Sequence, residues 1–191
     1  GVARAAKVLG PEAEKLAMHV KGQEVPLHEP RGKRGLALSY ACSPTGGDHM
    51  EAPHDPFLET IGVQGTTLAP LGLIEPVKTL DLGPSKVRAF YYCQRLWSLY
   101  NSVGMCDFVG VPIGSLAIEP LVKFVNAATG WDTSLWELVK VGERADALMR
   151  LFNTREGFTP EDDTLPDRLF APLENGALQG EGIDREQFER A

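Results

Sequence analysis

The stretch from Ser85 to Val103 constrains this chain more than any other. Val87, Phe90, Tyr91, Trp97, Tyr100 and Val103 fall on one helical face, and Tyr92, Leu96 and Leu99 cover much of another. A helix that is apolar nearly all round has to be enclosed by other elements. Its partners also read as helices. Gly114 to Thr129 predicts one, with Leu121, Val122, Val125 and Ala128 facing inward and Gly130 as its stop. Ser134 and Glu137 have the spacing of a capping box. The helix they open is expected to run to about Glu156, with Leu138, Val141, Ala145, Leu148, Met149 and Phe152 on its inner face and Gly157 closing it. Gly35 to Ser43, rich in small apolar residues, predicts a short buried helix ending at Pro44-Thr45-Gly46-Gly47. No convincing strand pair or internal repeat appears. The expected fold class is all-α and multihelical.

The remaining segments are less regular. Val2 to Leu9 reads as a helix stopped by Gly10-Pro11, and Glu12 to Leu16 as another short helical turn. Part of Ala17 to Pro26 is open to an extended reading. Glu51 to Pro84, with Pro53, Pro56, Pro70, Pro76 and Pro84, predicts a long and partly irregular connection. Two subdomains with a boundary near residue 84 fit this pattern. A chain of 191 residues with 43 % hydrophobic and 24 % charged residues can bury a sizeable core.

Several function classes are disfavoured. The net charge of −7 repels phosphate backbones, which argues against nucleic-acid binding. No apolar run approaches the roughly 18 residues of a membrane span. Cys42, Cys93 and Cys106 are odd in number and irregular in spacing, so they do not form a disulfide framework. A reducing, cytoplasmic setting is expected. Gly1 stands where a start methionine would be, and the helix opened by Asp184, with Phe188 inward, stops after about two turns. Both ends lead to the expectation of a piece of a longer protein.

Three constellations could carry chemistry. Cys106 lies just past the long apolar helix in Asn101-Ser102-Val103-Gly104-Met105-Cys106-Asp107. A thiolate there is a candidate iron ligand, and Gly104 lets the backbone turn tightly or approach a bulky group. In Ser43-Pro44-Thr45-Gly46-Gly47-Asp48-His49-Met50, a histidine after a flexible turn is a candidate acid, base or hydrogen-bond donor. His54 is close enough to share that site, whereas His19 and His28 show no partner pattern. The charges between Glu143 and Pro166 read as structural ion pairs rather than catalytic groups. A zinc site drawn from Cys42, His49, His54 and Cys106 lacks ordinary zinc-ligand spacing.

Taken together, these segments resemble the aldehyde:ferredoxin oxidoreductase family. The resemblance rests on Gly142-Glu143-Arg144, Arg150 through Phe158, and Asp162-Asp163-Thr164-Leu165-Pro166. It also rests on Val20 through Pro26 with Pro30-Arg31-Gly32, and on Ala37 through Ala41 leading to Gly47-Asp48-His49. It covers nearly the whole chain in the family's order. It implies the C-terminal helical region of such an enzyme, without the N-terminal pterin-binding domain. It also implies a tungsten or molybdenum bis-pterin and a [4Fe–4S] cluster in the full-length protein. The implied reaction is aldehyde plus water to carboxylic acid, with electrons passed to ferredoxin. In the family an Asp-x-x-Gly-Leu-Cys motif touches one pterin, and its cysteine ligates the cluster. Gly104 and Cys106 match this motif, Asn101 replaces its aspartate and Met105 its leucine, with Asp107 following. His49 matches the active-site histidine.

Other readings are a relative that reduces an aromatic acyl thioester with the same cofactor, and a metal-free helical scaffold that supplies binding surface or contacts in a homo-oligomer. A [4Fe–4S] cluster is normally held by four thiolates, and only Cys106 sits in a matching motif. Residues 1–191 alone are therefore expected to bind no cluster and show no activity. Anaerobic reconstitution followed by an iron assay checks this, and stoichiometric [4Fe–4S] in this fragment would refute it.

Overall fold

A computed structural model describes residues 1–60 and 68–191. Among these, the chain forms eight α-helices, with α1 Val2–Leu9, α2 Pro11–Leu16, α3 Arg34–Cys42, α4 Asp55–Glu59, α5 Pro84–Val103, α6 Ile118–Thr129, α7 Leu135–Arg155 and α8 Arg185–Arg190. The mainly helical expectation holds, with one addition. His19–Val20 (β1) and Gln23–Glu24 (β2) form a two-residue antiparallel pair. Lys21 and Gly22 make its turn, both with positive φ. Among the described residues, no helix is long and apolar enough to cross a membrane.

Helix α5 is the central post, and Leu96 to Tyr100 is buried on every side. Its expected apolar wrap is incomplete. Tyr91 and Val103 are exposed, and the Arg95 guanidinium stacks on the Tyr91 ring. Its main partner is α7, and the contact is backbone-close. A Cβ on Gly142 would sit 2.1 Å from the Arg95 carbonyl oxygen, and the Ser98 hydroxyl donates to the Gly142 carbonyl at 3.0 Å. Two apolar clusters meet along α5. One gathers Leu58, Leu73, Leu96, Trp97, Ile118 and Leu138, and the other Leu36, Tyr40, Phe90, Leu165, Ile183 and Phe188. Each cluster draws residues from both sides of residue 84.

Helix α3 was expected to be short and buried. Every residue from Arg34 to Ala41 is enclosed. Its first amides, Gly35 N–H and Leu36 N–H, donate to the Asp55 carboxylate at 2.8 and 3.1 Å. The same carboxylate pairs with the Lys86 ammonium from the first turn of α5, and both side chains are fully buried. One ion pair thus joins the N-terminal ends of α3, α4 and α5. A carboxylate here caps orphan helix donors and offsets the cost of burying lysine.

Three other expectations need correction. Helix α6 begins at Ile118 rather than Gly114, because Gly114 belongs to a turn packed on the backbone. Its N–H donates to the Gly110 carbonyl at 2.7 Å, and a Cβ would meet the Val109 carbonyl oxygen at 2.2 Å. Ala128 near the end of α6 is exposed rather than inward. The capping box at Ser134 and Glu137 is present, and α7 stops one residue before the expected end. The second half of its apolar face is not covered, with Leu148 at 66 % and Phe152 at 63 % exposure and Met149 exposed beside them. Periodicity shows that residues share a face, not what lies against it.

Two substitutions test this scaffold. Lys86→Met leaves the Asp55 carboxylate buried without its cation and is expected to cost about 3–5 kcal/mol in denaturant unfolding. A loss under about 1 kcal/mol would show that the pair is not an anchor. Gly142→Ala forces α5 and α7 apart and is expected to lower stability by about 1–3 kcal/mol, read from the same unfolding midpoint.

Candidate functional site

The candidate site is built from two loops, one after α3 and one after α5. The first runs from Ser43 to His54. The Ser43 hydroxyl accepts from Thr45 N–H at 3.1 Å, and the Asn153 amide of α7 donates to the Pro44 carbonyl at 2.7 Å. Gly46 takes φ +103°, and a Cβ there would lie 2.0 Å from the Val20 carbonyl oxygen. The paired glycines therefore let this turn press against the small hairpin. Asp48 then accepts from Met50 N–H at 2.8 Å, which folds the loop back and presents His49.

The charged segment read from sequence as structural has that role here. Asp163 pairs with Lys21 at 2.7 Å and with Arg150, and Arg150 reaches the Cys42 carbonyl. These contacts tie α7 and the hairpin to the start of the His49 loop.

The second loop follows α5. Gly104 adopts the left-handed conformation at φ +73°, and Met105 N–H donates to the Tyr100 carbonyl at 2.9 Å. This is the hydrogen-bonded stop expected of a C-terminal glycine. The Tyr100 hydroxyl donates to the Val111 carbonyl at 3.1 Å, and Gly110 packs against the Tyr100 ring. The loop is thereby folded back onto the helix it leaves. Asn101 and Cys106 are exposed, Met105 is half-buried against the core, and Asp107 is 92 % buried. Phe108, 62 % exposed, flanks the cysteine with Val109.

Charge connects the two loops. Burial, and then the charge of Asp48, pushes the Asp107 carboxyl up to about 6. One of its oxygens is enclosed without a hydrogen-bond partner among the described residues. Glu51 is pushed up to about 7, first by burial and then by Asp48, with Asp146 of α7 and Asp107 adding smaller contributions. The segments bearing His49 and Cys106 are thus electrostatic neighbours. No local spacing marks Glu51 in the sequence, because its surroundings come from three separate segments.

The other cysteines differ in kind. Cys93 is fully buried, and burial pushes its thiol up to about 12. Cys42 is half-buried, with its thiol raised by burial and by Asp163. Among the described residues, no group of three His, Cys, Asp or Glu side chains is placed to hold a metal ion, so the zinc reading finds no geometric support.

The histidines hold a second correction. His28, which has no partner pattern in the sequence, joins His49 and His54. The ring centroids lie 5.0 Å apart for His28–His49, 4.5 Å for His28–His54 and 5.9 Å for His49–His54. Lys33 Nζ lies 3.2 Å from His54 Nδ1 and 3.5 Å from His28 Nδ1. His54 Nε2 is 3.2 Å from the His49 carbonyl oxygen. Spacings of 21 and 26 residues carry no helical or strand periodicity, so only the folded chain brings these rings together. His19 stays apart on the hairpin.

Comparison with known proteins supplies the family. A family profile described as aldehyde ferredoxin oxidoreductase, domains 2 and 3, matches residues 1–191. The tungsten-containing aldehyde ferredoxin oxidoreductase of Pyrococcus furiosus is 32 % identical over 172 residues, covering 88 % of this chain and 26 % of that protein. The protein of the same description from Pyrococcus abyssi is 33 % identical, covering 85 % of this chain and 25 % of the relative. That of Thermococcus kodakarensis is 32 % identical, covering 86 % and 25 %. The chain spans about a quarter of the length of the curated relatives it matches. It belongs to the aldehyde ferredoxin oxidoreductase family, in the part of that family described as domains 2 and 3.

Proposed function

We propose that this chain is the C-terminal helical portion of an oxidoreductase that converts aldehydes to carboxylic acids and passes the electrons through a [4Fe–4S] cluster to ferredoxin. The observation that carries the reading is the Cys106 thiol, exposed at a hydrogen-bonded helix end and next in sequence to Asp107, whose carboxyl feels the charge of Asp48. Its surroundings suit one ligand of a bulky group. The thiol is accessible, the backbone turns away at Gly104, and a Cβ on Gly104 would meet nothing within 4 Å. Cys93 is sealed in the core and Cys42 lies in the Asp163–Arg150 ion-pair region, so the remaining thiolates would come from outside residues 1–191. The N-terminal domain expected from the family would supply them, together with the other face of the pterin. A tungsten or molybdenum pterin centre, once bound, would supply the two-electron oxidation.

The chain's own residues have separable roles. Oxidising an aldehyde with water to an acid releases two electrons and two protons. His49, which matches the family's active-site histidine, would donate a hydrogen bond or a proton at the substrate oxygen. Glu51, whose carboxyl is pushed up to about 7 by burial and by Asp48, would accept a proton released by the reaction. Asn101 offers the pterin amines a neutral contact where an aspartate would offer a charged one. Met105 packs the loop onto the core.

Cys106→Ser in the full-length protein is expected to remove the cluster, lowering iron content and abolishing the low-temperature electron paramagnetic resonance signal of the reduced protein. An unchanged signal would end the ligand assignment. With Glu51 as proton acceptor, the ionised form is the active one, so kcat rises with pH through about 7. Glu51→Gln is expected to remove that limb and lower kcat by about a hundredfold or more. A pH profile of kcat for both proteins reads this, and a retained limb in the variant would exclude Glu51.

A further inference from the structure

We propose that His54 is a positioning residue for His49, its imidazole tethering the backbone from which the His49 ring meets the substrate oxygen. His54 has this role only if His49 serves the reaction as proposed. His54 Nε2 lies 3.2 Å from the His49 carbonyl oxygen, five residues back along the chain. Among the described residues this is the only hydrogen bond made to any atom of His49. The other end of the tether is fixed to the core. Ala52 and Pro53 are buried, and Asp55 follows at its anchor with Lys86 and the first amides of α3.

A carbonyl oxygen only accepts, so the tether exists only when Nε2 carries the ring hydrogen. Lys33 sets that tautomer. Its Nζ lies 3.2 Å from His54 Nδ1, and an ammonium has hydrogens to give and no lone pair to offer. Nδ1 must therefore accept, which leaves the hydrogen of the neutral ring on Nε2, facing the carbonyl. Burial, and then the Lys33 charge, push His54 down to about 4, so the ring stays neutral at any pH near neutrality. The ammonium also polarises the imidazole, which strengthens Nε2–H as a donor.

The tether engages the His49 backbone and leaves its ring nitrogens for the substrate. The ring packs on His28, with centroids 5.0 Å apart and planes tilted by 44°. His28 is itself fixed, because its carbonyl accepts from the Tyr40 hydroxyl of α3 at 3.0 Å. One histidine thus holds the backbone of His49 and another backs its ring. Gly46 and Gly47 stand just before this residue, and glycine gives a chain conformational freedom that a tether has to remove. Precision matters here, since misplacing a reacting group by about 1 Å can cost about a hundredfold in rate.

The test uses the full-length protein. In His54→Gln the side-chain amide reaches the place of Nε2–H, in His54→Asn it is one methylene too short, and His54→Phe keeps a ring without either nitrogen. His54→Asn and His54→Phe are expected to lower kcat about tenfold or more with KM changed by less than about twofold. His54→Gln is expected to stay within about threefold of the wild type. Hydrogen exchange read by mass spectrometry is expected to quicken at the amides of residues 48–54 in His54→Asn and His54→Phe but not in His54→Gln. Iron content is expected to match the wild type in all of them, which separates a misplaced His49 from a lost cluster. His54→Asn serves if His54→Phe does not fold. Equal kcat in His54→Gln and His54→Asn, or unchanged exchange in His54→Asn, would overturn the proposal. Faster exchange without a loss of kcat also overturns it, and His49→Ala then tells why. A lowered kcat in His49→Ala shows that His49 acts without the tether. An unchanged kcat shows that the role proposed for His49 itself fails.

Discussion

The buried Asp55 carboxylate is the interaction on which the rest of this structure depends. It receives two amides from α3, begins α4 and pairs with Lys86 of α5. Three helix ends meet at one charge, and the charge is affordable only because all its partners are present. A Cβ on Gly35 would lie 2.9 Å from Asp55 Oδ1, so the close approach also needs glycine there. The consequence reaches the surface. His54 precedes Asp55, and Lys33 is two residues before Gly35. Fixing the buried pair places the Lys33 ammonium against the His54 ring, and the imidazole cluster follows from it.

A second constraint is the close packing of α5 on α7. Gly142 lets the two helices approach until backbone meets side chain, and this sets where α5 ends relative to α7. The left-handed turn at Gly104 then exposes Cys106, while the neighbouring Asp107 is drawn in toward Asp48 and Glu51. Consecutive residues thus present an accessible thiol and an enclosed carboxylate.

The exposed side of the molecule is as informative as the core. Val103, Cys106, Phe108 and Val109 lie open together near the end of α5, and Leu148, Met149 and Phe152 lie open along α7. Relatives about four times longer than the matched region have further chain to set against such faces. The uncovered half of α7 explains why its regular apolar spacing overstated its burial.

The sequence by itself determined the helices and their stops. A helix boundary is a local property, written in Gly104, Gly130, the Ser134–Glu137 box and the Asp184 cap. It also determined the family, because several short segments recur in one order, and it singled out Cys106 and His49 as candidates. Only the tertiary structure decided what those candidates face. Lys33, His28 and His54 are joined by loops whose paths no periodicity records, and the raised carboxyls of Glu51 and Asp107 owe most to burial and then to charges carried by other parts of the fold. Capping is settled within a few residues of chain, whereas the field at a carboxylate or an ammonium is the sum of whatever folding brings near it.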